Sequence, residues 1–105
     1  MTYSVALLIG AEDDLDRLFD QLLARELSTE DGKLDLPAEA VAAVRAGIGM
    51  LEKFPFTCRK ADDSAFLREV VIPFGRTGYV ALFEIVSNEQ VAVSAIRPQR
   101  EDDYH

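Results

Sequence analysis

Six side chains in the second half of the chain have the chemistry to handle a phosphate: Arg59, Lys60, Arg68 and Arg97, with Tyr104 and His105 at the far end. Arginine holds developing negative charge through fixed N–H donors, and histidine or tyrosine moves a proton. Gathered on one concave face, the set would suit a strand-cleavage reaction. The same residues have a plainer use. Alternate side chains of a half-buried strand face solvent, so Arg68 and Arg97, each interrupting an apolar run, also fit the open face of a sheet. Both readings stand at this level.

The remaining reactive types narrow the field. His105 is the only histidine and Cys58 the only cysteine, which rules out an internal disulfide and a cysteine-based metal cluster. No glycine-rich phosphate loop follows any strand. A metal site would have to be built from carboxylates, and the acidic runs read more simply as solvated surface and a helix start. Neither a metal nor a cofactor is expected. No neighbouring residue obviously lowers the pKa of Cys58, so a thiol nucleophile is poorly grounded. Gly75 and Gly78 flank Arg76 and Thr77 and suit a hairpin turn, because glycine admits positive φ without steric cost. Arg76 then sits at the tip of that loop, open to a partner.

The elements that must position these residues follow from periodicity. Phe66–Ile72, Tyr79–Val86 and Val91–Arg97 are rich in β-branched and aromatic residues and are joined by short polar or glycine-bearing links. Links that short enforce antiparallel pairing, so the segment is a three-stranded meander in need of an apolar cover. Upstream, Tyr3–Ile9 is an almost continuous apolar run, the pattern of a buried or covered strand. Glu12, Asp13 and Asp14 are placed in the first turn of a helix, where they complement its dipole. Leu15, Leu18, Phe19, Leu22 and Leu23 form its apolar stripe, fading near Leu27. Pro37 suits the first position of a second helix. That helix presents Val41, Val44, Ile48 and Leu51, and ends by Phe54-Pro55. A strip of Ala40, Ala43 and Gly47 beside this stripe is expected to let the two helices approach closely. Phe56–Ser64 reads as an irregular connection. The class is α+β: an N-terminal strand, a two-helix antiparallel hairpin, then the antiparallel meander, all in one domain over residues 1–105.

Composition bounds the function. The net charge is −8, with five basic and eleven acidic side chains in residues 1–58 and six against five in residues 59–100. Affinity for a phosphate backbone comes mainly from clustered cations, so strong direct nucleic-acid binding is not expected. No apolar run is long enough to span a membrane and no basic leader opens the chain, which fits a cytoplasmic protein.

Two segments are more specific together than either is alone. Ile72-Pro73-Phe74-Gly75-Arg76-Thr77-Gly78-Tyr79-Val80-Ala81-Leu82-Phe83, followed by Ala95-Ile96-Arg97-Pro98-Gln99-Arg100-Glu101-Asp102-Asp103-Tyr104, resembles the C-terminal half of toxins of the RelE/ParE superfamily, the ParE branch being the closer match. The first half agrees more loosely in the order of its elements, through Asp14–Leu18, the Ala-rich helix and Phe54-Pro55. The resemblance implies the toxin of a bacterial type II toxin–antitoxin pair. In the ParE branch such toxins poison DNA gyrase by protein–protein binding and are not enzymes. RelE-like relatives cut messenger RNA in the ribosome. Both kinds are neutralised by a small antitoxin that folds as it wraps the toxin. On the ParE reading, Arg68, Arg76, Arg97, Arg100 and Tyr104 are the partner-contacting candidates. On the endonuclease alternative, Arg59, Arg68, Arg97 and Tyr104 or His105 would be catalytic. Relatives commonly carry histidine after the arginine of the last strand. Pro98 stands there in this chain, which together with the acidic balance weighs against the nuclease branch. A weak homodimer or a toxin–antitoxin hetero-oligomer stays open, since exposed sheet edges and an antitoxin groove look alike in sequence.

Overall fold

The computed structural model describes residues 2–99. In chain order it has β1 (Ser4–Leu7), α1 (Ile9–Leu27), α2 (Leu36–Gly49), 3-10 turns at Met50–Glu52 and Pro55–Thr57, β2 (Arg59–Lys60), β3 (Leu67–Phe74), β4 (Thr77–Ile85) and β5 (Gln90–Pro98). The expected strand, helix pair and antiparallel meander are all present. The sheet is wider than the meander, however, with strand order β1-β5-β4-β3-β2. β1 pairs parallel to β5 from Ser4↔Gln90 to Leu7↔Val93, and the connection over residues 56–64, expected to be irregular, contributes β2, paired antiparallel to β3 through Arg59↔Glu69 and Lys60↔Arg68.

β1 is shorter than its apolar run because α1 starts at Ile9, with the N–H groups of Ala11 and Glu12 donating to the Leu8 carbonyl. Glu12 therefore lies in the first turn, whereas Asp13 and Asp14 fall in the next. The buried stripe of α1 is Ala11, Leu15 and Leu18, with Leu22 packed at its margin; Phe19 lies outside it and is 36% exposed. α2 contributes Ala40, Val44 and Ile48, continued by Leu51. Both helices cover one face of the sheet, where Ile72, Tyr79, Ala81, Phe83, Ile85, Val91, Val93 and Ile96 complete the core. Gly47 does permit a close approach, but to the sheet: a Cβ there would meet Ile72 Cγ1 at 2.6 Å.

The β4–β5 ladder shifts register between Leu82↔Ala95 and Phe83↔Val93, so Ser94 is an extra residue on β5. A one-residue shift exchanges the two faces of everything beyond it. Val91 and Val93 enter the core before the bulge and Ile96 after it, which turns Arg97 to the face the helices leave open.

Candidate partner-binding groove

Alternation along the strands separates the predicted arginines. Arg59 lies opposite Glu69, and its Nε is 2.9 Å from Glu69 Oε1. Arg97, two strands away, donates from Nη2 to Glu69 Oε2 at 3.4 Å. Glu69 therefore sits between two guanidinium groups on the open face. This face also holds Val80, only 1% exposed, whose cross-strand neighbours are Val71 and Arg97. The methylene stem of Arg97 shields apolar surface there while its charged head reaches Glu69.

Arg68 does not join them. It pairs with Phe83 and Lys60, which places it on the side of the sheet opposite Arg59 and Glu69. Its Nε donates to the Ala65 carbonyl at 2.7 Å, and its Nη1 to the Cys58 and Phe56 carbonyls at 2.8 and 3.2 Å. The guanidinium also lies 5.3 Å from the Phe56 ring centroid. It is a clamp holding the Phe56–Cys58 segment against β3. A concave cluster of Arg59, Lys60, Arg68 and Arg97 is therefore not formed, because neighbours in a strand point to opposite faces. Placing both Arg68 and Arg97 on the open face is likewise corrected for Arg68. Arg100, Tyr104 and His105 lie outside the described residues.

Beside the sheet, α1 and β5 diverge and leave a groove. One part, of about 300 Å³, lies among Asp14, Arg17, Leu18, Ile96, Arg97 and Pro98. It passes Leu18, Gln21 and Pro98 into a part of about 260 Å³ that reaches Arg25 and Tyr79. Beyond Tyr79 a third part, of about 320 Å³, ends at Arg76 on the β3–β4 turn, with Leu22, Leu36 and Phe74 as apolar lining. Arg76 is held at this end by the two-residue turn in which Gly75 takes φ +60°.

Electrostatics along the groove are set by arginine. Arg17 pairs with Asp14 at 3.2 Å and Arg25 with Glu26 at 3.2 Å, both over a single turn of α1 or less. Glu26 is held below its ordinary carboxylate range, chiefly by the backbone N–H of Lys33 and then by Arg25. The Tyr79 hydroxyl is pushed up by burial, partly offset by the Arg25 cation. Asp14 has a second partner: its Oδ2 accepts the backbone N–H of Ile96 at 2.8 Å, just past the end of β1. That bond ties α1 to the uncovered edge of β5.

Sequence reading did not find Arg17, Arg25, Asp14 or Glu69 as site residues. On a helix, arginines eight residues apart beside Leu18 and Leu22 are the one available signal, and it is indistinguishable from a solvated rim. A separate apolar hollow of about 380 Å³ lies at the opposite end of the sheet between Tyr3, Phe56, Phe66 and Val86. Phe56 and Phe66 meet there edge to face at 6.4 Å. Among the described residues no cluster of three or more His, Cys, Asp or Glu side chains could hold a metal, and no helix is long and apolar enough to cross a membrane.

Comparison with known proteins places this arrangement. No curated protein matches the sequence. A solved chain described as "Chromosomal ParDE TA system from P. aeruginosa" aligns with a TM-score of 0.70 at 15% identity, covering 94% of this chain and 98% of its own. At that identity the likeness speaks for the fold. The family model for the ParE toxin of the type II toxin–antitoxin system parDE matches residues 9–103. Nearly the whole chain is thus accounted for, and the protein belongs to the ParE toxin family of type II toxin–antitoxin systems.

Proposed function

We propose that this toxin acts in the cytoplasm by binding DNA gyrase rather than by catalysis, and that a cognate antitoxin holds it inactive. Membership of the ParE family carries the reading. The distribution of the arginines supports it. Arg68 is engaged by three backbone carbonyls and Arg97 by Glu69, on opposite faces of the sheet. Side chains so divided suit separate contacts with a protein surface better than one cleavage centre. Arg76, at the tip of the β3–β4 turn, and Arg97, on the open face, are the contacts proposed from this structure. Arg100 and Tyr104 are proposed from the sequence alone.

The test is a supercoiling and cleavage assay with purified, antitoxin-free protein and gyrase, with ribosomes programmed with messenger RNA run in parallel. Loss of supercoiling with intact message is expected, and Arg97→Ala should weaken the inhibition by at least tenfold. Cut message with normal gyrase would instead establish the endonuclease reading. Inhibition undiminished by Arg97→Ala combined with Arg100→Ala would remove those arginines from the gyrase contact.

A further inference from the structure

We propose that the apolar hollow beside the β4–β5 turn is a recognition site for the guanidinium group of an arginine side chain presented by a partner protein. The hollow lies at the other end of β4 from Arg76 and depends on neither the gyrase nor the antitoxin reading.

Its aromatic walls come from three segments distant in sequence. Tyr3 precedes β1, Phe56 sits in the 3-10 turn at Pro55–Thr57, and Phe66 leads into β3. Each wall is fixed through its backbone. The Tyr3 N–H donates to the Glu52 carbonyl at 2.6 Å, and the Phe66 carbonyl accepts the Ile85 N–H at 2.8 Å. The Phe56 carbonyl accepts from Arg68 at 3.2 Å. Held in place, Phe56 and Phe66 are nonetheless 47% and 56% exposed, and Val86 beside them 54%. Large apolar side chains gathered at the surface around a hollow mark a place where something binds. Its volume of about 380 Å³ is near the lower end of the roughly 300–1,000 Å³ range of ligand pockets, which suits a single side chain.

Charge and hydrogen bonding select the occupant. Glu84 is the one lining residue charged at neutral pH, and it has no ion pair among the described residues. The carbonyls of Val86, Ser87 and Asn88 accept no hydrogen bond among the described residues. The site thus offers aromatic rings, a carboxylate and unfilled acceptors, with no cation of its own. Aromatic rings attract cations through their negative faces. A guanidinium brings five N–H donors and no acceptor, and its planar, weakly hydrated charge stacks on rings. An ammonium is more strongly hydrated and loses more on entering an apolar hollow. A carboxylate ligand would meet Glu84 and a chain of net charge −8. The same ring already receives a guanidinium within this chain: that of Arg68 lies 5.3 Å from the Phe56 centroid.

The test is a chemical-shift titration of the full-length toxin with N-acetyl-arginine amide, compared with the citrulline, lysine and leucine analogues. The arginine probe should shift the Phe66, Val86 and Asn88 amides and bind at least tenfold more tightly than the citrulline and leucine probes. Glu84→Gln should raise its Kd at least threefold and Phe66→Leu, which keeps the site apolar, at least fivefold. Circular dichroism and urea midpoints establish that each variant is folded. Absence of shifts at these residues, or equal binding of the leucine probe, would overturn the site. Equal binding of the lysine probe would overturn the guanidinium assignment. Free L-arginine, whose carboxylate the acidic rim repels, should bind at least threefold more weakly than the amide. The reverse order would overturn the assignment to an arginine within a protein.

Discussion

Asp14 joins two parts of the chain 82 residues apart. Its carboxylate meets the Ile96 N–H at 2.8 Å and the Arg17 guanidinium at 3.2 Å. Removing the acceptor leaves a part-buried donor unpaired, so Asp14→Ala should lower unfolding stability by about 1–3 kcal/mol in urea titrations. Asp14→Asn, which keeps a carbonyl oxygen, should recover more than half of that. Burial raises the Cys58 thiol above its ordinary 9.0, opposed by the Arg68 cation and the Thr57 hydroxyl, and raises Tyr79 above 10.0. A raised folded-state pKa means the native state holds its proton longer than the unfolded chain. The resulting stability is complete below about pH 9 and is lost as pH rises through the folded values. Stability measured across pH 8 to 11 should therefore fall on the alkaline side, less steeply in Cys58→Ala combined with Tyr79→Phe. At this scale the arginines were legible as residues with work to do. Which of them work together was not, because facing depends on a register that a single strand does not reveal.

The elements show how close packing and strand register were decided. Gly47 and Gly49 both weaken α2 by propensity, on the order of 1 kcal/mol each relative to Ala. Only Gly47 is required by packing: an added Cβ there would collide with Ile72, whereas at Gly49 nothing lies within 4 Å. Gly49→Ala should raise stability by about 0.5–1 kcal/mol. Gly47→Ala should lower it by about 1 kcal/mol or more, the overpacking outweighing the gain in propensity. Paired urea midpoints check both signs. The helices and the three long strands were readable because their periodicities are strong. The bulge at Ser94 was not, because Val91-Ala92-Val93-Ser94-Ala95-Ile96 places small or apolar residues on both faces and tolerates either register.

The whole molecule is a sheet with two edges to protect. At the end nearest the β3–β4 turn each edge carries a proline, Pro73 on β3 and Pro98 on β5. Both lie at positions whose N–H would face outward, which removes the donors a second sheet would need. Replacing both by valine restores them. Pro73→Val combined with Pro98→Val should produce concentration-dependent association in size-exclusion chromatography, where the parent protein elutes unchanged over the same range.

By itself the sequence determined the class of the fold, the order of its elements, most of the core, and kinship with the ParE toxins through Pro73–Tyr79 and Arg97–Tyr104. Those features are carried by local periodicity, turn chemistry and residue identity, which neighbours along the chain suffice to express. Only the tertiary structure decided that β1 closes on β5, that Arg97 reaches Glu69 while Arg68 clamps the other face, and that α1 lines a groove with arginine. Each of these depends on contacts between distant segments and on one bulged residue that sets which way a strand faces.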